Sequence, residues 1–222
     1  MNTPLSRTAA RMSKHLHTRH RWPLRLLAAL TWGGIGLVTL APAPVAAPRQ
    51  PVAAEISAAP TPGTPDQLDT VAEALTDCPT RLPKGQRLSI ARVILDESTQ
   101  HGFDPLFITA LVQVESGCSP TARGGAAIGL TQLLPSTARE VAPRAGVRWR
   151  GADTLRDPLA NVRIGVRYLS ELEEMLDCPY RAVAAYNMGP RPVLRMSTSR
   201  ARQVRYVRKV LNRYEHLRQE HA

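Results

Sequence analysis

The chain has 222 residues, of which 43% are hydrophobic and 21% are charged. This is ordinary for a globular protein, and it excludes a fully disordered chain, a collagen and a membrane protein with several spans. The net charge of +11 comes from the two ends of the chain. Residues 1–48 hold six basic and no acidic residues, and residues 191–222 hold nine basic and two acidic residues. Residues 49–190 hold 14 basic and 16 acidic residues. The near-neutral middle gives no support for a nucleic-acid groove, so nucleic acid is not an expected partner.

The N-terminal region has the layout of an export signal. A basic segment precedes 23 residues without a charged side chain, from Leu26 to Pro48. This run is also long enough to span a bilayer as one helix. Residues 1–54 are therefore predicted to be an export signal or an N-terminal membrane anchor, followed by the start of a proline-rich tether. Both alternatives place the rest of the chain outside the cytoplasm, in the periplasm or cell envelope.

A proline-rich stretch separates this region from the folded part. Seven prolines occur between Ala41 and Asp66, among alanine, threonine and glycine. Proline removes backbone donors and stiffens the chain, so the stretch is typical of an extended tether. We predict a Pro/Ala-rich linker over residues 55–76 and a folded domain over residues 77–222.

Three cysteines are present, at Cys78, Cys118 and Cys178. Export permits disulfides, and an odd number allows at most one bridge within the chain. Cys78 and Cys178 both occur in an Asp-Cys-Pro sequence at a predicted helix boundary, and this favours them as the pair. The cysteines lack the spacing of a zinc site and no histidine lies near them, so a zinc site is not expected.

The folded domain is predicted as a series of helices. Apolar residues at three- and four-residue spacing indicate a helix over 86–101, and Gly102 closes it. Asp104-Pro105 and Asp157-Pro158 each place an N-cap before a proline, which starts helices ending near Gly117 and Leu176. Further helices are predicted over 135–141, 179–188 and 200–218. No segment shows strand alternation, so the fold class is mainly α with one long irregular loop, Ser116 to Leu134.

Glu115 is the candidate catalytic residue. It shares a helix face with Leu111, four residues earlier, and therefore points toward the apolar side just before the turn at Ser116-Gly117. Burial of a carboxylate raises its pKa, and a carboxylic acid that stays protonated near neutral pH can protonate a leaving oxygen. The alternative is a solvated glutamate at a fraying helix end.

Two further segments add candidate binding groups. Gln132 is an amide in the small, apolar loop 126–138, where it either faces a ligand or bonds backbone as a buried glutamine. Tyr186 and Asn187 precede Gly189-Pro190 at a helix end. A phenol ring with an amide suits sugar packing and hydrogen bonding, although a core tyrosine with a helix-capping asparagine has the same pattern.

Together these segments resemble a known family. The elements are Glu115-Ser116-Gly117, Gly129-Leu130-Thr131-Gln132, Asn161 to Leu169 and Ala185-Tyr186-Asn187-x-Gly189-Pro190. In this order they are similar to lytic transglycosylases of the soluble-lytic-transglycosylase (SLT) type, over about residues 86–215. The resemblance implies a lysozyme-like helical domain with a substrate-cleft loop. It also implies cleavage of the β-1,4 bond between N-acetylmuramic acid and N-acetylglucosamine, a 1,6-anhydro product, and no metal or organic cofactor.

The resemblance also assigns roles to single residues. Glu115 matches the family's catalytic acid/base. The sugar cleft is implied to be lined by Gln132 and the backbone of Gly129 and Leu130, with Tyr186 and Asn187 facing the catalytic carboxylate and the substrate. Tyr206 matches the late tyrosine that reaches toward the acid.

The implied partner is the peptidoglycan glycan strand, bound by a monomer. Cell-wall, secretion or division machinery is a candidate further partner, and a membrane is one if the N-terminal segment is retained. Two alternatives remain open at this point: a goose-type-lysozyme-like hydrolase that uses water, and a non-catalytic peptidoglycan-binding scaffold.

Overall fold

The computed structural model describes residues 65–221, and in this range the chain folds mainly into helices. The predicted signal or anchor and most of the predicted linker lie outside the described residues. The helices are α1 (Pro65–Ala74), α2 (Lys84–His101), α3 (Pro105–Ser116), α4 (Pro135–Val141), α5 (Pro158–Leu176), α6 (Pro179–Met188), α7 (Pro190–Val193), α8 (Thr198–Gln203) and α9 (Arg205–Glu220). Short 3-10 helices span Leu75–Asp77 and Ala152–Arg156. The mainly α fold class is confirmed.

Local capping chemistry sets the helix starts at the predicted positions. The Asp104 carboxylate accepts a hydrogen bond from the Leu106 amide at 2.7 Å. The Asp157 carboxylate accepts from Leu159 at 2.9 Å. Each aspartate precedes a proline at the first helical position, where a missing amide costs nothing.

The largest apolar core joins α1, α2, α3, α5, α6 and α9. Helix α3 packs on α9, α2 packs on α5, and α5 packs on α6. A smaller apolar cluster lies under the long loop and includes Ile128, Leu133 and Leu155. Tyr168 and Tyr186 pack against both clusters, so they mark the place where the loop meets the helical body.

The long loop contains the small amount of strand in the described range. Strands β1 (Arg123–Gly124) and β2 (Ala127–Ile128) pair antiparallel, with Arg123 opposite Ile128 and Gly124 opposite Ala127. The loop between α3 and α4 therefore folds back as a hairpin that projects beside the end of α3. Across residues 65–221, each helix is too short or too polar to traverse a lipid bilayer.

The predicted start of the folded domain is wrong. The linker was expected to continue to residue 76, but α1 packs on α2 and buries Val71 and Ala74 in the main core, and Leu75 of the following 3-10 helix is buried there too. The stretch does carry the apolar pattern of a helix, because Leu68, Val71 and Leu75 recur at three- and four-residue spacing.

The predicted disulfide between Cys78 and Cys178 is also wrong. The bridge joins Cys78 to Cys118, with their Cα atoms 5.8 Å apart, and Cys178 is a buried free thiol. The segment after Cys78 lies against the end of α3, where the Thr80 amide donates to the Gly117 carbonyl. A shared local sequence carries no information about this proximity, which packing alone creates.

The predicted final helix over 200–218 is two helices. Val204 has extended backbone (φ −58°, ψ 126°), which ends α8 and lets α9 begin at Arg205 in a new direction. The apolar spacing continued through Val204 because this residue is itself half-buried. The break places Tyr206 in the first turn of α9.

Candidate active site

A groove of about 610 Å³ lies where the end of α3, the loop hairpin, α5 and the end of α6 meet. We call it the Glu115 groove. It is lined by Glu115, Gly124, Ala127, Gln132, Leu133, Leu134, Thr137, Tyr168, Tyr186, Asn187, Met188, Gly189 and Pro190. The lining thus combines one carboxylate, amides, two phenols and apolar surface, which is the composition of a site for a polar ligand with apolar faces.

Glu115 reaches the groove from the last turn of α3. Its helix ends at Gly117, which has the left-handed backbone (φ 57°) of a helix terminus and donates its amide to the Gln113 carbonyl. One turn earlier, Leu111 is completely buried. Glu115 therefore follows the apolar face of α3 to the point where that face opens into the groove, and it is half-buried.

Burial sets the protonation of Glu115. Desolvation raises the pKa of this carboxyl above its ordinary value. The hydrogen bond that the Tyr206 hydroxyl donates to Glu115 Oε1 and the positive charge of Lys209 lower the pKa, but both act less strongly. The net upward direction keeps more of the acid form at neutral pH than an exposed glutamate retains.

Two tyrosines face the carboxylate without ionising. The pKa values of Tyr186 and Tyr206 are raised well above the ordinary range, first by burial and then by the negative charge of Glu115. Tyr206 contacts Glu115 directly, whereas the Tyr186 hydroxyl donates to the Thr131 carbonyl at 3.0 Å. Both phenols therefore stay hydrogen-bond donors, one to the acid and one to the opposite wall of the groove.

The opposite wall is a turn that a buried asparagine holds. Asn161 on α5 accepts hydrogen bonds from the Thr131 amide (2.9 Å) and hydroxyl (2.7 Å), and it donates to the carbonyls of Ile128 (2.9 Å) and Leu155 (3.1 Å). Gly129 lies against this side chain with φ +84°, where an added Cβ would come within 2.3 Å of Asn161 Nδ2. The turn is thus closely packed and fully hydrogen-bonded.

Gln132 joins the two halves of the loop. Its amide donates to the carbonyls of Ala122 (3.1 Å) and Gly129 (2.8 Å) from a left-handed backbone (φ 47°). Its carbonyl oxygen lies beside Gly124, where a Cβ would be 2.7 Å away. The donor side of the amide is therefore committed to the loop, and the residue still lines the groove.

The predicted site residues divide into two groups. Glu115, Gln132, Tyr186 and Asn187 line the groove, and Tyr206 reaches it through its bond to Glu115. Gly129 and Leu130 are buried beneath the lining, where Leu130 belongs to the main core. Their side of the loop supports the wall and does not face the open groove.

Two residues of the site were not singled out from the sequence. Tyr168 lines the groove and its ring lies 5.4 Å from that of Tyr186, centroid to centroid. Asn161 supports the wall. In the sequence, both residues lie close to the apolar stripe of α5. This position indicates that their side chains face the protein, but it does not show that Tyr168 reaches the groove or that Asn161 reaches the turn.

Within the described residues, one group has the geometry to hold a metal ion. It consists of Asp77, Glu220 and His221, whose ligand atoms lie within 4.8 Å of one another. None of the three lines the Glu115 groove.

The sequence is similar to those of known proteins. The family model described as a transglycosylase SLT domain matches residues 92–207. The endo-type membrane-bound lytic murein transglycosylase A of Klebsiella pneumoniae subsp. pneumoniae is 45% identical over 78 residues, covering 32% of this chain and 37% of the relative. The protein of the same name from Salmonella paratyphi B is 47% identical over 77 residues, with the same coverage. The matched part thus spans little more than a third of these curated relatives.

A solved structure extends the likeness to the fold. The crystal structure of an inactive mutant of lytic transglycosylase Slt from Pseudomonas aeruginosa superposes with a TM-score of 0.53 at 26% sequence identity. The match covers 69% of this chain and 30% of that protein.

Proposed function

This chain belongs to the transglycosylase SLT domain family, and we propose on that basis that it is a peptidoglycan lytic transglycosylase with Glu115 as its single acid/base. The proposed bond is the β-1,4 linkage from N-acetylmuramic acid to N-acetylglucosamine. The observation that carries the proposal is the half-buried Glu115 carboxyl, whose pKa burial raises, in contact with Tyr206 at the edge of a large groove.

In the first step Glu115 acts as a general acid. The protonated carboxyl donates its proton to the glycosidic oxygen, and the bond from this oxygen to C1 of the muramic sugar breaks. The acetamido group of the same sugar stabilises the positive charge that develops at C1. The leaving N-acetylglucosamine end departs as a neutral hydroxyl.

In the second step the ionised Glu115 acts as a base. It removes the proton from the 6-hydroxyl of the muramic sugar, and this oxygen attacks C1 to close the 1,6-anhydro ring. Glu115 is then protonated again, so the cycle consumes no water and needs no second reactant. A carboxyl whose pKa lies above the ordinary value is suited to both directions of transfer near neutral pH.

The tyrosines position the acid and the substrate. Tyr206 donates to one oxygen of Glu115, which leaves the other oxygen for the sugar. Tyr186 and Tyr168 present aromatic surface in the same groove, which suits packing against a sugar face. Asn187 is exposed at the groove and supplies an amide for a substrate hydrogen bond.

The carboxylate count favours this chemistry over a two-carboxylate hydrolase. Glu115 is the single carboxylate among the described residues that line the groove. Asp104, on the same helix, caps the opposite end and accepts from Tyr214 there. Most glycosidases need two carboxylates flanking the bond, whereas intramolecular attack by the 6-hydroxyl needs one.

The cellular setting completes the proposal. Peptidoglycan lies outside the cytoplasm, in agreement with the export or anchor signal predicted over residues 1–54. The cell envelope, inside the periplasm or at the inner membrane, is the proposed location. The glycan strand is the proposed partner, and cell-wall, secretion or division machinery is a further candidate.

Product analysis tests the proposal. Purified sacculi are digested with the wild type and with Glu115→Gln, and the released muropeptides are identified by mass spectrometry. We expect wild-type products that are one water lighter than the hydrolysis products and that lack reducing ends, and no release by the variant. Reducing ends would instead identify a hydrolase, and no release by the wild type would leave a binding scaffold.

A further inference from the structure

The charge of the folded part is divided unevenly along the chain. Residues 178–214 hold nine basic residues and no acidic residue, whereas residues 65–177 hold 12 basic and 15 acidic residues. The first of these stretches forms α6, α7, α8 and the first part of α9. The positive charge of the folded part therefore comes from these four helices.

The four helices pack together on one side of the domain. Helices α7, α8 and α9 each contact α6, and α8 also contacts α9. The Arg202 guanidinium lies over the ring of Tyr180 on α6, 5.0 Å from its centroid. Val193, Ala201 and Val207 are completely buried. The opposite sides of α7, α8 and α9 consequently face the solvent.

These solvent-facing sides carry arginines that the fold does not use as ion-pair partners. The exposed arginines are Arg191, Arg195, Arg200, Arg205 and Arg208. Within residues 65–221, each of these guanidinium groups lies beyond ion-pair distance of any carboxylate. We call these arginines together with Leu194 the arginine face. Its charge is available to an external anion.

Leu194 is an exposed apolar side chain among these cations. It is 53% exposed, and its amide donates to the Pro190 carbonyl at 3.0 Å, so it continues the helical turn of α7. Arg191 and Arg195 are four residues apart, and Leu194 lies between them on the side of this turn opposite Val193. A leucine flanked by cations is typical of a surface that lies in the headgroup region of a membrane.

A second exposed apolar side chain has the opposite surroundings. Met175 on α5 is 58% exposed, but it follows Glu173 and Glu174 directly and precedes Asp177. These carboxylates are repelled by an anionic surface. Exposed apolar area is thus present at both positions, and only at Leu194 is it combined with positive charge.

We propose that the arginine face binds a lipid leaflet that contains anionic phospholipids. The guanidinium groups bind headgroup phosphates, and Leu194 enters the boundary between headgroups and acyl chains. A soluble acidic polymer pairs with the arginines but leaves Leu194 in water, so a leaflet uses more of this face. The export or anchor signal predicted over residues 1–54 leads to a compartment that membranes enclose. The inference goes beyond the proposed function and does not depend on the chemistry of Glu115.

Quenching of a fluorescent label at position 194 by lipid tests the inference. Leu194→Cys in the full chain is labelled with an environment-sensitive fluorophore. Among the natural cysteines Cys178 is buried, and Cys78 and Cys118 are bridged, so the label attaches at position 194. Vesicles of phosphatidylcholine alone, or mixed with phosphatidylglycerol, carry a quencher just below the headgroups. We expect quenching at least about fivefold stronger on the mixed vesicles, and its loss in about 1 M salt.

Met175→Cys with the same label is the matched control for position. Attachment of the chain through its N-terminal segment brings both labels to the vesicle, but only the arginine face places its label among the lipids. Equal quenching at the two positions overturns the inference, and so does equal quenching on the two kinds of vesicle. A label at position 194 that responds to soluble glycan strands and not to vesicles also overturns it.

A combined variant tests the arginines themselves. Arg195→Gln, Arg200→Gln and Arg205→Gln together, in the chain labelled at position 194, should raise the lipid concentration for half-maximal quenching about 100-fold. This corresponds to about fivefold for each cation.

The matched control for net charge combines Arg92→Gln, Arg139→Gln and Arg148→Gln. These are three exposed arginines outside the arginine face, and their loss should change the same lipid concentration by no more than about twofold. Thermal unfolding establishes that both combined variants are folded. An equal shift in the two variants overturns the inference, because it would assign the binding to total charge.

Discussion

Two glutamates on the surface of this domain have opposite electrostatic settings. Glu115 ends α3 at the groove, where burial raises its pKa and one tyrosine donates to it. Glu171 lies on α5 between two arginines, Arg144 at 2.5 Å and Arg167 at 2.9 Å, and these hydrogen bonds lower its pKa. The pKa of the same side chain is thus raised in one region and lowered in the other.

The difference shows what makes a carboxyl useful as an acid. Both glutamates have bonding partners, so contact alone does not decide the outcome. Tyr206 is a neutral donor and offsets only part of the desolvation of Glu115. The two guanidinium groups on Glu171 outweigh its desolvation. A carboxyl keeps its proton more readily where burial outweighs its partners, and it ionises more readily where guanidinium groups outweigh burial.

The largest test of this comparison is neutralisation of each glutamate. Glu115→Gln keeps the shape and hydrogen-bond acceptor but has no proton to give, so turnover on sacculi should fall by about 10²–10⁴-fold. Glu171→Gln should keep activity within about twofold, because it alters an outer ion pair. Activity is measured as the release of soluble muropeptides. Equal losses of activity in the two variants would mean that the burial of Glu115 is not what makes it an acid.

The next largest effect is expected on stability, from a substitution in the wall of the groove. Gly129→Ala combines φ +84° with a Cβ 2.3 Å from Asn161 Nδ2 and 2.7 Å from the Leu155 carbonyl. We expect a loss of about 2–4 kcal/mol in the free energy of unfolding. Gly125→Ala is the matched control, since it also has positive φ (+62°) but nothing within 4 Å, and should lose about 1 kcal/mol.

This pair of variants examines what holds the groove wall opposite Glu115 in place. Urea unfolding gives the two free energies, and a similar loss at both glycines would mean that contact with Asn161 does not hold the wall.

A smaller effect on activity is expected from removal of the Tyr206 hydroxyl. Tyr206→Phe removes the hydrogen bond that positions Glu115, which should lower kcat/KM about tenfold. The same bond lowers the pKa of Glu115, so its loss raises that pKa further and the acid form persists to higher pH. The high-pH limb of the kcat/KM profile, which reports this acid, should therefore move upward.

Tyr214→Phe provides the control for Tyr206→Phe. It removes a phenol bonded to Asp104 at 2.8 Å, between the same two helices but far from the groove. This variant should lose stability and leave the pH profile in place. A profile that fails to move in Tyr206→Phe, or moves equally in both, would contradict the proposed role of Tyr206.

Sequence patterns predicted the parts of this domain that local chemistry controls. The Asp104-Pro105 and Asp157-Pro158 starts were correct because capping involves residues two or three positions apart. The orientation of Glu115 toward the apolar side followed from its four-residue spacing to Leu111. Its raised pKa followed from the burial that this orientation implies.

Three features that the sequence did not predict depend on packing that no local pattern contains. The pairing of Cys78 with Cys118 depends on how the segment before α2 packs against the end of α3. The break at Val204 is a change to extended backbone at a half-buried residue, and the continuous apolar spacing does not reveal it. The role of Asn161 depends on a turn 30 residues away in the chain. Each is a property of the packed molecule.

The smallest effect, and the most direct test of the comparison, is on stability. A group with a raised pKa in the folded state favours folding when protonated, and this contribution is lost as pH rises from the ordinary value of 4.5 through the folded pKa. Glu115→Gln should therefore be more stable than the wild type at pH 7, by about 0.5–1 kcal/mol, with the advantage shrinking toward pH 4. For Glu171 the pKa is lowered, so its contribution is present at pH 7 and lost as pH falls. Glu171→Gln should be less stable at pH 7 by about 0.5–1 kcal/mol. Urea unfolding at several pH values measures both differences, and the same sign at pH 7 would show that burial does not separate the two carboxylates.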